Sequence, residues 1–404
     1  MKSNSASIPL IWKSSLFYFV LAGVTGVLFR IGMVGGDVFG FSLQNIRHAH
    51  SHLMFFGWAG LLPFYIMFRY IKNINSGAKQ WMKVSMISIV ILSPITYLFF
   101  LFWGYHPVSI GDANLPLSAI FSSLVMIAWY IFMYGYWKVK PEVETEAHSW
   151  FTLALIMLGL SSLGAWGVGA LQAFGLDNKL LAKAMTHFFL GTFTEGWVVV
   201  FIIGVLIKEL GLKAENFLIS PDKLRFMIFL GAPLTFSYGI PESLLTSELL
   251  WSAKIGGLLA STVLFMVVYA SWDKCSGKKA IWFWPIVLLA VKAITQISVS
   301  VLPSGFWLSD HNLRILYLHI LLLGAFTITG FGWIKITFNI KEIYFKMMVY
   351  SCLFVLVSLT LPTKLIPIGF KGVWIFYTMI IAACLPIISA LFFKFQVHYK
   401  ASNN

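Results

Sequence analysis

Residues 47–68 read RHAHSHLMFFGWAGLLPFYIMF. From Leu53 onward the run carries no charge, and with its histidine-bearing head it is long enough to cross ~30 Å of hydrocarbon as a helix. Lipid offers the backbone no hydrogen bonds, so such a span closes its own as a helix rather than a strand. The rest of the chain repeats the pattern: 59% of the 404 residues are hydrophobic, 11% are charged, and the mean hydropathy is +0.84. A soluble fold of this size has too little interior to hide that surface. About twelve apolar spans of roughly 18–25 residues follow one another, near 15–33, 48–70, 82–103, 116–137, 149–170, 184–207, 224–241, 250–271, 281–302, 312–334, 344–361 and 372–394. The expected fold is therefore all-α: a polytopic membrane protein of about twelve transmembrane helices in a single bundle, with residues 1–404 as one transmembrane domain.

Charge supplies the orientation. Most of the 29 Lys and Arg residues fall on one side of the spans if both termini are cytoplasmic, which is the positive-inside pattern. The net charge of +14 then reports topology and contact with anionic membrane lipid, and nucleic acid is not an expected partner. The first span lacks a small-residue cleavage site and reads as retained. The expected location is the inner (cytoplasmic) membrane, crossed many times. Loops are short, and the acidic run Pro141–Glu146 reads as a solvated loop. The three cysteines are scattered and no Cys-x-x-Cys-His occurs, which excludes covalent c-type haem attachment.

Histidine inside a membrane span is costly and marks function by default. Six of the nine histidines head even-numbered spans: His48, His50 and His52 on the second, His187 on the sixth, His311 and His319 on the tenth. His50, His187 and His319 each fall within about two turns of their helix start, ~12 Å from the outer boundary. On the second span His48 and His52 share one face while His50 points ~200° away. One helix thus offers a single imidazole to one neighbour, as an axial haem ligand requires, and an i,i+4 pair to another, a common metal-ligand spacing. A His-Leu/Ile, apolar, Gly pattern recurs at His52 and His319.

With these residues in place, the chain resembles subunit I of the haem–copper oxidase superfamily, most closely the large subunit of nitric oxide reductase and the C-family oxidases. The twelve-span count matches. That family has Arg, then His three residues on, then apolar residues and Gly on its second span, matched by Arg47, His50 and Gly60. Its His-x-His on the tenth span is matched here by Tyr317-Leu318-His319. The resemblance implies that His50 and His319 ligate a low-spin haem b near the outer face. Arg47, Arg314, Lys364 and Lys371 are the basic candidates for its propionates.

The departures fall on the catalytic centre. The position of the high-spin haem ligand is Tyr317. The reductases place His, then Glu four and eight residues on, in the sixth span; here the three positions are His187, Gly191 and Glu195. The family's paired His-His after a proline on the seventh span is replaced by Glu242-Ser243 after Pro241. A single imidazole does not hold copper or non-haem iron, although Glu195 and Glu242 are possible supplements to His187. The resemblance therefore implies a haem b electron-transfer or nitric oxide/oxygen-related protein with a degenerate binuclear centre, served by an electron-donor subunit, cytochrome or quinol.

Three alternatives remain open from the residues. One is a working oxidoreductase reducing nitric oxide or oxygen with Tyr317 as an unconventional ligand. Another is a haem–copper membrane protein of the nitric oxide stress response, similar in its His48-Ala49-His50, with His48 and His52 on copper. The third, less favoured, is a secondary transporter. Lys292, mid-span in the ninth segment, needs a partner or a wet path; an ion pair with Glu195 or a proton path is expected.

Overall fold

A computed structural model describes residues 7–36, 38–71, 76–139, 145–303, 307 and 310–401; positions 141–144 of the acidic run lie outside them. The chain is all-α and polytopic, with eleven helices long and apolar enough to cross a membrane among the described residues. In chain order the elements are α1 (Ser7–Gly35), α2 (Leu43–Leu53), α3 (Leu61–Tyr70), α4 (Ser76–Trp103), a hairpin of β1 (Val108–Ile110) and β2 (Ala113–Leu115), α5 (Leu117–Trp137), α6 (Glu146–Ala173) and α7 (Lys179–Gly191). They continue with α8 (Val199–Leu210), α9 (Pro221–Leu234), α10 (Ser247–Trp272), α11 (Phe283–Val301), α12 (His311–His319), α13 (Thr327–Phe338), α14 (Glu342–Thr360) and α15 (Trp374–Ala401).

The chain forms two compact units. The described residues of Met1–Glu142, Ile334–Ser358 and Gly372–Asn404 make the first, and those of Val143–Trp333 and Leu359–Lys371 the second. In the first unit α1 packs on α2 and on α15, and α4 packs on α2 and α5. In the second, α6 packs on α7 and α8, and α10 on α9 and α11.

The seventh span differs from its expected form. Residues 224–241 are the end of α9 followed by a 3-10 turn, Thr235–Gly239. Pro233 has no N–H to continue the α ladder. The Thr235 hydroxyl donates to the Ala232 carbonyl at 2.7 Å as the α-helix ends.

Three spans share a construction. Each starts at a side-chain N-cap: Ser42 accepts from Asn45 N, Asn178 from Leu181 N, and Asp310 from Asn312 and Leu313 N. Such a cap contributes about 1 kcal/mol and fixes where the helix begins. His50, His187 and His319 follow their caps by eight, nine and nine residues, or ~12–14 Å of helix. Each of the three spans then passes into a π-helical turn: Met54–Trp58, Thr192–Val198 and Ile320–Phe326. A π turn inserts a residue into the helical ladder and occurs frequently at functional sites.

Candidate functional site

In the first unit the three alternating imidazoles divide as helical geometry demands. The His50 Nδ1 lies 2.7 Å from the Ala22 carbonyl of α1. Gly26, one turn on, keeps that wall open, since a Cβ there would stand 3.1 Å from His50 Cε1. The His48 and His52 rings lie together at 6.4 Å. His52 stacks on Phe100 at 3.7 Å and sets its Nδ1 2.9 Å from the His48 carbonyl. His48 meets Tyr105 edge-on at 4.9 Å. This pair is embedded in an aromatic cluster. Arg47 is exposed.

The second unit contains a cavity of about 340 Å³ whose lining includes His187, Glu195, Tyr238, Gln296, Arg314 and Tyr317. One lining residue belongs to an ion pair: the ammonium of Lys292, fully buried on α11, donates to the Glu195 carboxylate, which is 4% exposed. Lys292 also donates to the Gln296 carbonyl oxygen at 3.2 Å and the Tyr317 hydroxyl at 2.7 Å. Tyr317 in turn donates to Glu195 Oε1 at 2.9 Å, and the Gln296 amide donates to Oε2 at 3.4 Å. The carboxylate therefore has three protein donors, and both partners of the pair are satisfied, as a buried pair must be. The polar path runs on from Gln296: the Ser300 hydroxyl donates to its main-chain carbonyl and meets the Tyr238 hydroxyl at 3.1 Å. Gly257 makes room for this contact, because a Cβ would fall 2.3 Å from Ser300 Oγ.

The other site candidates divide clearly. Arg314 and Tyr317 of α12 line the cavity, whereas His319 is not part of its lining. Its Nδ1 is 2.7 Å from the Ile315 carbonyl. His187 lies against the main chain at Gly239, where a Cβ would be 2.0 Å from Nδ1. Gly191 lies one turn beyond His187 on α7. A Cβ there would be 3.3 Å from Phe236 Cα, a close approach by the 3-10 turn. Glu242 sits exposed on its own short 3-10 turn and does not join Glu195. Lys364 contributes its main-chain N–H to Asp310, and Lys371 donates to the Pro362 carbonyl at 3.3 Å. Sequence reasoning missed Tyr238 and the three π turns. The recurring His-Leu/Ile, apolar, Gly pattern was the available signal for two of those turns, at His52 and His319.

The donor chemistry separates two kinds of metal site. A bis-imidazole haem needs each histidine to present Nε2 while Nδ1–H is held by an acceptor. The carbonyls of Ala22 and Ile315 lie at Nδ1 of His50 and His319 and suit that tautomer. A binuclear centre needs more: among the described residues no group of three or more His, Cys, Asp or Glu side chains is arranged to hold a metal. Tyr317 is engaged by Glu195 and Lys292.

No protein-family model matches this chain, and a search of curated proteins finds no match.

Proposed function

We propose that the protein is a haem b-binding integral membrane protein on an oxidase-like scaffold, with a low-spin haem held by His50 and His319 and a role in electron transfer or nitric oxide/oxygen handling. The observation that carries this reading is the shared setting of the two imidazoles. Each follows a capped helix start by about two turns, each has a main-chain carbonyl at Nδ1, and each span then enters a π turn. A bound bis-imidazole haem would supply one-electron exchange and leave no open position for substrate. The protein's own contribution is to fix both ring tautomers and to keep Tyr317 tied to Glu195 and Lys292. On this reading the electron donor is a separate cytochrome, subunit or quinol, and the haem lies toward the outer face of the inner membrane.

The test is a reduced-minus-oxidised optical spectrum of the purified protein, with haem counted per chain and a carbon monoxide difference spectrum. One b-type haem that ignores carbon monoxide is expected. A second, carbon monoxide-reactive haem would instead establish an active reductase centre. Absence of haem favours proton-coupled transport, a reading supported by the buried Glu195–Lys292 pair beside a cavity and by the span interrupted near Pro233.

A further inference from the structure

We infer that the cavity of the second unit binds an amphiphilic carboxylate of the fatty-acid type, its acid group on Arg314 beside His187 and its chain along the apolar walls. The argument is one of uncompensated charge. Arg314 lines the cavity, yet every nearby carboxylate is committed elsewhere. Glu195 is held by Lys292, Gln296 and Tyr317. Asp310 accepts from the main-chain N–H groups of Asn312, Leu313 and Lys364. Glu242 is exposed and outside the lining. Among the described residues no carboxylate pairs with Arg314, and its Nε is buried without a hydrogen-bond partner.

A guanidinium against apolar walls needs a counter-ion, and its planar fork matches a carboxylate in a two-pronged bond. The apolar part of the lining defines the body of the ligand: Leu190, Phe236, Val299, Leu316, Ile320 and Leu365 offer dispersion contact, while Thr194, Thr235, Thr295, Trp307 and His311 add polar atoms elsewhere on the wall. A volume of about 340 Å³ lies at the small end of ligand pockets, which suits one acyl chain and not the two of a phospholipid. Neither His50 nor His319 contributes to the lining.

The experiment uses the full-length protein in phosphatidylcholine nanodiscs with radiolabelled laurate as the probe. Saturable binding of one laurate per chain is expected, with dodecanol competing at least about tenfold more weakly because it lacks the charge. Arg314→Leu should weaken laurate by at least about tenfold and leave dodecanol unchanged, while Arg314→Lys restores part of the loss. Leu190→Trp keeps the charge but fills the cavity, and should abolish both ligands; it serves as the second variant if Arg314→Leu does not fold. Exposed Lys223→Leu should bind as the parent does. Equal affinity for laurate and dodecanol, non-saturable uptake, or undiminished binding by both Arg314→Leu and Leu190→Trp overturns the assignment.

Discussion

Glu195 and Lys292, from a π turn and from α11 of the same unit, form a buried ion pair that Tyr317 closes by bonding to both. Charges so enclosed tolerate the loss of both partners better than the loss of one. Lys292→Met or Glu195→Gln alone should destabilise the protein by about 3–5 kcal/mol, since each leaves a buried group without its main partner. The double variant should recover most of that loss. Thermal unfolding in one detergent decides it, and a double variant no better than the worse single variant would refute the coupling.

The spans were legible because their signal is summed over twenty residues, and the Glu195–Lys292 contact was legible because neither charge tolerates lipid alone. What escaped was local. Whether residues 224–241 form one helix depends on how Pro233 and the turn at Thr235–Gly239 pack, which hydropathy does not encode. Gly191 read as a missing carboxylate, and only the fold shows how closely Phe236 approaches it. The π turns left a weak trace in the repeated His-to-Gly spacing, which apolar composition masks.

The two faces of α2 should behave differently when altered. If His50 and His319 carry a low-spin haem, His50→Ala and His319→Ala each remove its reduced spectrum. His48→Ala should retain it, because His48 packs with Tyr105 away from the face that meets Ala22. The same holds for His52→Ala, whose ring stacks on Phe100. Loss of the spectrum in His52→Ala with retention in His50→Ala would move the ligand to the other face.

Cys275 lies between two spans, and burial pushes its thiol above the usual value. Its Sγ is 3.4 Å from the Lys279 carbonyl, an acceptor that favours the protonated form. The reactive species is the thiolate, so a raised value lowers reactivity at neutral pH and moves the onset upward. In a Cys352→Ala/Cys384→Ala background, maleimide labelling of Cys275 should have its midpoint above about 8.5, the ordinary thiol value. A midpoint at or below that of a peptide thiol under the same conditions contradicts the burial argument.

Gly164 and Gly169 on α6 provide a matched pair in one helix. A Cβ on Gly164 would lie 2.4 Å from the Met185 carbonyl oxygen and 2.6 Å from the Phe189 nitrogen, both main-chain atoms of α7, whereas one on Gly169 meets nothing within 4 Å. Small residues let membrane helices approach this closely, and backbone cannot rotate aside as a side chain does. Gly164→Ala should therefore cost about 1–3 kcal/mol through overpacking, while Gly169→Ala should be neutral or stabilising by up to about 1 kcal/mol. Met185 and Phe189 flank His187, so pushing α7 away also shifts a wall of the cavity. Gly164→Ala should then weaken laurate binding as well as lower the unfolding temperature, and Gly169→Ala should do neither. Destabilisation by Gly164→Ala with full laurate affinity would separate the α6–α7 contact from the site, and equal stability of the two variants would deny the contact itself.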